Sequence, residues 1–193
     1  MKFRLKGNKK TYLSDMNQIL QHYILKSGVI WLRISNEVFA AKCLEHSLQE
    51  KPTDVEITEG KVINDIVGDS NFKKAIKDFV NKSQETGQIS NSKKVITFAK
   101  GNLGLSLHNA TLKVNGKRQK NNKWKLNITI LDLYDFTKLK RLQEYIVQNA
   151  TFSDNLENFA AAVGNNIAII GSSCKVVNTY NITIRFTIEN WEG

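Results

Sequence analysis

The sequence predicts an α+β protein: a mostly helical N-terminal half followed by an antiparallel, partly open β-barrel or curved sheet. Three observations predict it. Apolar residues recur at three- and four-residue spacing over the first ninety residues, then alternate with period two from about residue 93. Two alternating runs within 110–133 lie close enough to form a hairpin, which argues against parallel βαβ units. Helices come first and strands follow, the order expected of an α+β chain. The expected division is a mostly helical region over 1–92 and a basic β-rich domain over 93–193 with an inserted helix, the two also readable as one continuous domain.

The elements follow in order. Ser14 or Asp15 begins a first helix carrying Met16, Ile19, Leu20 and Tyr23, and Gly28 breaks it. Val29 to Leu32 is an apolar run too short to assign. Ser35 is positioned to cap a second helix, with Glu37 in its first turn where the helix dipole favours an acid. Ala40, Cys43, Leu44, Ser47 and Leu48 form its apolar stripe, and Pro52 stops it. Ser70 is expected to cap a third helix, with Phe72, Ile76, Phe79 and Val80 inward and Gly87 after its end.

Val95–Phe98 and Ala110–Val114 are the first strand candidates, and Asn115-Gly116 reads as the turn that follows. Lys123–Leu133 is the longest: Trp124, Leu126, Ile128 and Ile130 alternate with Lys125, Asn127 and Thr129. In that register Asp132 and Tyr134 continue the apolar face and Asp135 points the other way; a β-bulge near Asp132 exchanges them. Ser153 or Asp154 caps the inserted helix, which carries Leu156, Phe159, Ala160 and Val163, and Asn165–Gly171 is left unassigned. Tyr180–Ile188 closes the chain as a half-buried strand, with Ile182, Ile184, Phe186 and Ile188 inward.

Composition bounds the function. With 41% hydrophobic and 24% charged residues, the 193-residue chain is ordinary for a soluble globular domain. No apolar stretch is long enough for a transmembrane helix. The basic start Met1-Lys2-Phe3-Arg4-Leu5-Lys6 runs into Gly7-Asn8-Lys9-Lys10 rather than an apolar core, so no signal peptide is expected. That implies synthesis in the cytoplasm and, if the chain acts elsewhere, release or delivery to a target cell envelope. Cys43 and Cys174 show no metal-like spacing and are expected as two buried thiols, although one disulfide between them stays open.

Charge is concentrated. Residues 93–142 hold twelve Lys and Arg against two acids, a surplus equal to the +10 of the whole chain. Those acids, Asp132 and Asp135, flank Leu133-Tyr134 at the end of the longest strand candidate. Surrounding cations favour their ionised form. As a working pair they suit a metal ion or an attacking water; as strand-end caps they merely offset lysines. Both readings stand.

The block Asn102-Leu103-Gly104-Leu105-Ser106-Leu107-His108, then Val114-Asn115-Gly116, Trp124, Asp132-Leu133-Tyr134-Asp135 and Tyr180-Asn181-Ile182-Thr183-Ile184, resembles the toxin domain of colicin M-type bacteriocins. The resemblance spans roughly residues 100–190. It implies a phosphodiesterase that needs Mg2+ and cuts the lipid-linked peptidoglycan precursor at its pyrophosphate. Asp132, Tyr134 and Asp135 would hold the first three motif positions, with the metal on Asp132 and Asp135 and substrate oriented by Tyr134. It further implies an anionic lipid-linked substrate or membrane surface as partner, and an immunity protein. The family's histidine falls at Arg141 and its arginine at Leu142, so His108 is the histidine left to approach from a neighbouring strand. Arg141, Lys138 and Lys123 are the candidates for holding phosphate.

Two other classes remain beside this reading. The basic segment suits a toxin nuclease or RNA-binding domain with a nucleic-acid partner, and the chain also suits a non-enzymatic interaction module or an inactive relative. Gly101-Asn102-Leu103-Gly104 lacks the spacing of a phosphate-binding loop. Glu45, His46 and Ser47 are adjacent on a helix and cannot form a triad with one another.

Overall fold

The computed structural model describes residues 22–23, 25–99, 101–135 and 177–192. The described residues form two layers of an α+β fold. A five-stranded sheet of order β1-β5-β4-β3-β2 comprises β1 (Val55–Ile57), β2 (Gln88–Thr97), β3 (Asn109–Arg118), β4 (Trp124–Tyr134) and β5 (Tyr180–Trp191). Residues 25–34 are helical (α1). They are followed by α2 (Val38–Ser47), α3 (Lys61–Gly68), α4 (Ser70–Lys82) and the short α5 (Gly101–Ser106).

Period-two patterning decides which face is buried. Ile128 and Ile130 of β4, Ile182 and Ile184 of β5, and Leu112 and Val114 of β3 all point to one side. There they join Ile66 of α3, Phe72 and Ile76 of α4, and Leu103 of α5 in one apolar core. That core joins the helical and β-rich parts of the chain. Sidedness of this kind is a direct consequence of alternate pleats facing opposite ways.

The sheet is open rather than a closing barrel, and it is mixed rather than antiparallel. The mixed character comes from β1, three residues inside the expected helical region, which pairs parallel to β5 through Val55↔Ile182 and Ile57↔Ile184. It is too short to show period two on its own. β2 begins at Gln88, earlier than the change of pattern, because a register shift between Ile89 and Ser92 hides its alternation.

Other expectations are corrected locally. The helix of α1 runs through Gly28, a position buried with Leu25, Val29 and Leu32, and packing offsets the roughly 1 kcal/mol cost of an interior glycine. The N-terminal flanking residue of α2 is Glu37, not Ser35, and it makes no side-chain cap. Asn102 of α5 supplies the cap instead: its Oδ1 accepts from the Phe39 and Ala40 amides at 2.9 and 3.2 Å. At α4 the cap is Asp69 rather than Ser70, accepting from Asn71 and Phe72. Asn115-Gly116 is not a turn but lies inside β3; the chain reverses after Arg118, with Gln119 N–H donating to the Lys123 carbonyl. Gly116 is there because a Cβ would sit 2.6 Å from Leu126 Cδ2. The helices expected from Ser14 and Ser153, the run Asn165–Gly171, and Cys174 lie outside the described residues; Cys43 is buried.

Candidate functional site

β4 pairs with β5 without interruption from Leu126↔Ile188 to Tyr134↔Tyr180, so no bulge disturbs Asp132. Asp132 therefore shares the helix-side register of Ile130 and Tyr134, and Asp135 follows the last paired residue. Tyr134 is only 3% exposed and stacks on Tyr180 with centroids 5.3 Å apart. The Tyr180 hydroxyl in turn donates to the Cys43 carbonyl at 2.9 Å, tying the sheet to α2. Burial, reinforced by the charges of Cys43, Asp132 and Asp135, pushes the Tyr134 phenol well above its ordinary pKa. Burial raises Tyr180 likewise, with Cys43 and Tyr134 adding to it. Both phenols stay protonated at neutral pH.

A shallow groove beside this strand end is lined by Asp54, Leu131, Asp132, Leu133, Asn181 and Thr183, and does not include Tyr134, Asp135 or His108. Asp54 accepts from the Asn181 backbone N–H at 2.8 Å and from its side-chain amide, and these bonds lower its pKa. His108 sits one residue before β3 with φ 36°, its carbonyl accepting from Phe98 N–H and its Nδ1 3.2 Å from the Phe98 carbonyl. Because β3 and β4 are antiparallel, His108 reaches the same end of the sheet as Asp132–Asp135. Lys123 does not: it stands at the opposite end of β4, nine residues from Asp132, or about 30 Å along an extended strand. There it pairs with Glu192 at 2.7 Å and lowers that acid's pKa. Lys138 and Arg141 lie outside the described residues. No group of three or more His, Cys, Asp or Glu gathers as a metal site among the described residues.

The second concentration of function-bearing side chains is the sheet face away from the helices. Lys93 stands directly opposite Lys113, and Lys117 opposite Lys125. All four are exposed. Like charges in directly opposed positions are destabilising. Only Lys125 has an acid within reach, Glu189 at 2.9 Å; Lys93, Lys113 and Lys117 form no ion pair among the described residues. Between the two lysine pairs lie Asn115 and Asn127, with Thr129 beside Lys113 and Thr187 donating to Asn127 Oδ1. The charge surplus was legible in the sequence; the pairing was not, because register is a property of two strands.

Comparison with protein-family models, curated proteins and solved structures finds no match to this chain.

Proposed function

We propose that this domain binds the phosphate backbone of nucleic acid across the sheet face opposite α3, α4 and α5. One observation carries the reading: two opposed lysine pairs share one exposed face, and three of the four lysines have no acid partner among the described residues. An anion bridging Lys93 and Lys113 removes the repulsion between them, and one on Lys117 supplies the counter-charge that Lys125 already has in Glu189. The neighbouring Asn and Thr side chains add hydrogen bonds. Among the described residues the face carries no aromatic ring, so the contact they offer is to phosphate rather than by base stacking, and sequence preference is low. Among the described residues its large exposed apolar groups are Val95 and Leu133, too few for insertion into a lipid bilayer.

The test is binding to single-stranded RNA at several salt concentrations, beside vesicles of anionic phospholipid. Each phosphate neutralised on a single strand contributes about 0.7 to the log–log salt slope. Replacing Lys93, Lys113 and Lys117 together by Gln should therefore flatten the slope by about 2. Unchanged RNA affinity in that variant, or binding to vesicles alone, refutes the reading.

A second reading follows the family resemblance: a metal-dependent phosphodiesterase acting on the lipid-linked cell-wall precursor, with Mg2+ held by Asp132 and Asp135. The shared position of His108 and the Asp-x-Tyr-Asp segment at one sheet end supports it. The burial of Tyr134 and the remoteness of Lys123 weigh against those two residues touching substrate. Release of a soluble pyrophosphoryl product from the precursor, stopped by a chelator and by Asp132→Asn, is the measurement that selects it.

A further inference from the structure

A cavity of about 580 Å³ opens between α2, β1, α3 and the start of β5, on the helix side of the sheet. Its size falls in the range of small-molecule sites. Val38 and Phe39 of α2, Val55 and Ile57 of β1, and Tyr180 and Ile182 of β5 supply an apolar body. The side chains of α2 that line it, from Val38 to His46, recur along one stripe of that helix.

Two partly buried polar side chains of the cavity, His46 and Asp65, offer acceptors. His46 Nε2 lies 2.8 Å from the Thr53 carbonyl, which can only accept, so this nitrogen carries the hydrogen. In the neutral ring Nδ1 is then the acceptor. The ring is held edge-on to Tyr180 with centroids 4.6 Å apart, which fixes its direction. Asp65, on the second turn of α3, is half-buried and has no hydrogen bond or ion pair among the described residues. Lys61, four residues earlier, does not come within ion-pair distance of it; Lys61 and Lys42 are exposed at the rim, where long side chains extend their charge into water. The Tyr180 hydroxyl is already committed to the Cys43 carbonyl, and the Asn102 side chain to the start of α2. The Tyr180 hydroxyl is therefore not left to hold a ligand oxygen, and Asn102 Nδ2 already faces the Asn36 carbonyl at 3.5 Å with one of its two N–H groups.

We infer that this cavity is a binding site for a small aromatic or short aliphatic amine, its ring or chain against Phe39, Ile57 and Tyr180 and its ammonium on Asp65. A protonated amine brings donors where the cavity offers acceptors, and its charge meets a carboxylate that nothing else on the described chain neutralises. A carboxylate ligand of the same shape meets Asp65 with like charge. The site is independent of the lysine face, which lies on the other side of the sheet.

The experiment is a titration of the full chain, monitored by amide NMR shifts, with three matched probes: phenethylamine, 2-phenylethanol and 3-phenylpropanoate. The amine is expected to shift amides of α2, β1 and α3 and to bind roughly tenfold or more tightly than the acid, a difference of about 1.4 kcal/mol. Asp65→Asn should weaken the amine about tenfold and leave the alcohol unchanged. Val38→Trp, filling the mouth, should block all three. Should Val38→Trp fail to fold, the half-buried Asp65→Asn variant still decides. Equal or tighter binding of the acid, an amine affinity insensitive to Asp65→Asn, or shifts confined to other surfaces overturns the proposal.

Discussion

Replacing Tyr134 separates a structural from a chemical role for the Asp-x-Tyr-Asp segment. Its ring is 3% exposed and stacks on Tyr180 at 5.3 Å and 23°. Truncation to Ala removes a buried aromatic of the class that costs about 3–5 kcal/mol, to which the lost ring pair contributes roughly 1 kcal/mol. For a domain of this size about 1 kcal/mol corresponds to 2–4 °C, so Tyr134→Ala should lower Tm by roughly 6–20 °C. Tyr134→Phe keeps the ring and the stack and should lie within about 1 kcal/mol of the native chain. The assay is urea and thermal unfolding by circular dichroism, beside RNA binding and a bacterial toxicity test. If Tyr134→Phe folds with native stability yet abolishes a measured activity, the hydroxyl acts in chemistry and the structural account of this residue is wrong.

Three further outcomes follow. Tyr134 keeps its proton in the folded chain at pH values where the unfolded chain loses it, so the unfolded state binds fewer protons above about pH 10. Stability should be full below that pH and then fall by about 1.4 kcal/mol per pH unit from Tyr134 alone; alkaline unfolding titrations with no such slope contradict the burial argument. Asn102→Ala strips two amides of α2 of their acceptor and should cost about 1–2 kcal/mol in urea unfolding, with faster amide exchange at Phe39 and Ala40. Gly116→Ala should cost about 1–3 kcal/mol by overpacking against Leu126, and Leu126→Ala in the same chain should recover part of it, whereas a turn glycine would show no coupling to Leu126.

Much of the fold is written in local pattern. The alternation of Trp124 to Ile130 and of Ile182 to Ile188 determined by itself which side chains face the core, because the pleat of a single strand sets its two faces. The stripes of α2 and α4 were readable for the same reason at helical period. The placement of Asp132 and Tyr134 on the apolar side followed from that alternation too. Tertiary structure decided what depends on two distant segments. β1 is a strand only because β5 offers it an edge, which makes the sheet mixed. Asn102 caps α2 across 63 residues of sequence, a partnership no local signal announces. Gly116, read as a turn, is a close approach of two strands. The basic segment was visible as composition, but its division into opposed lysine pairs needed the register of β2, β3 and β4. The cavity is still further from the sequence: Asp65, His46 and Tyr180 come from three separate elements and meet only when α2 and α3 are held against the sheet.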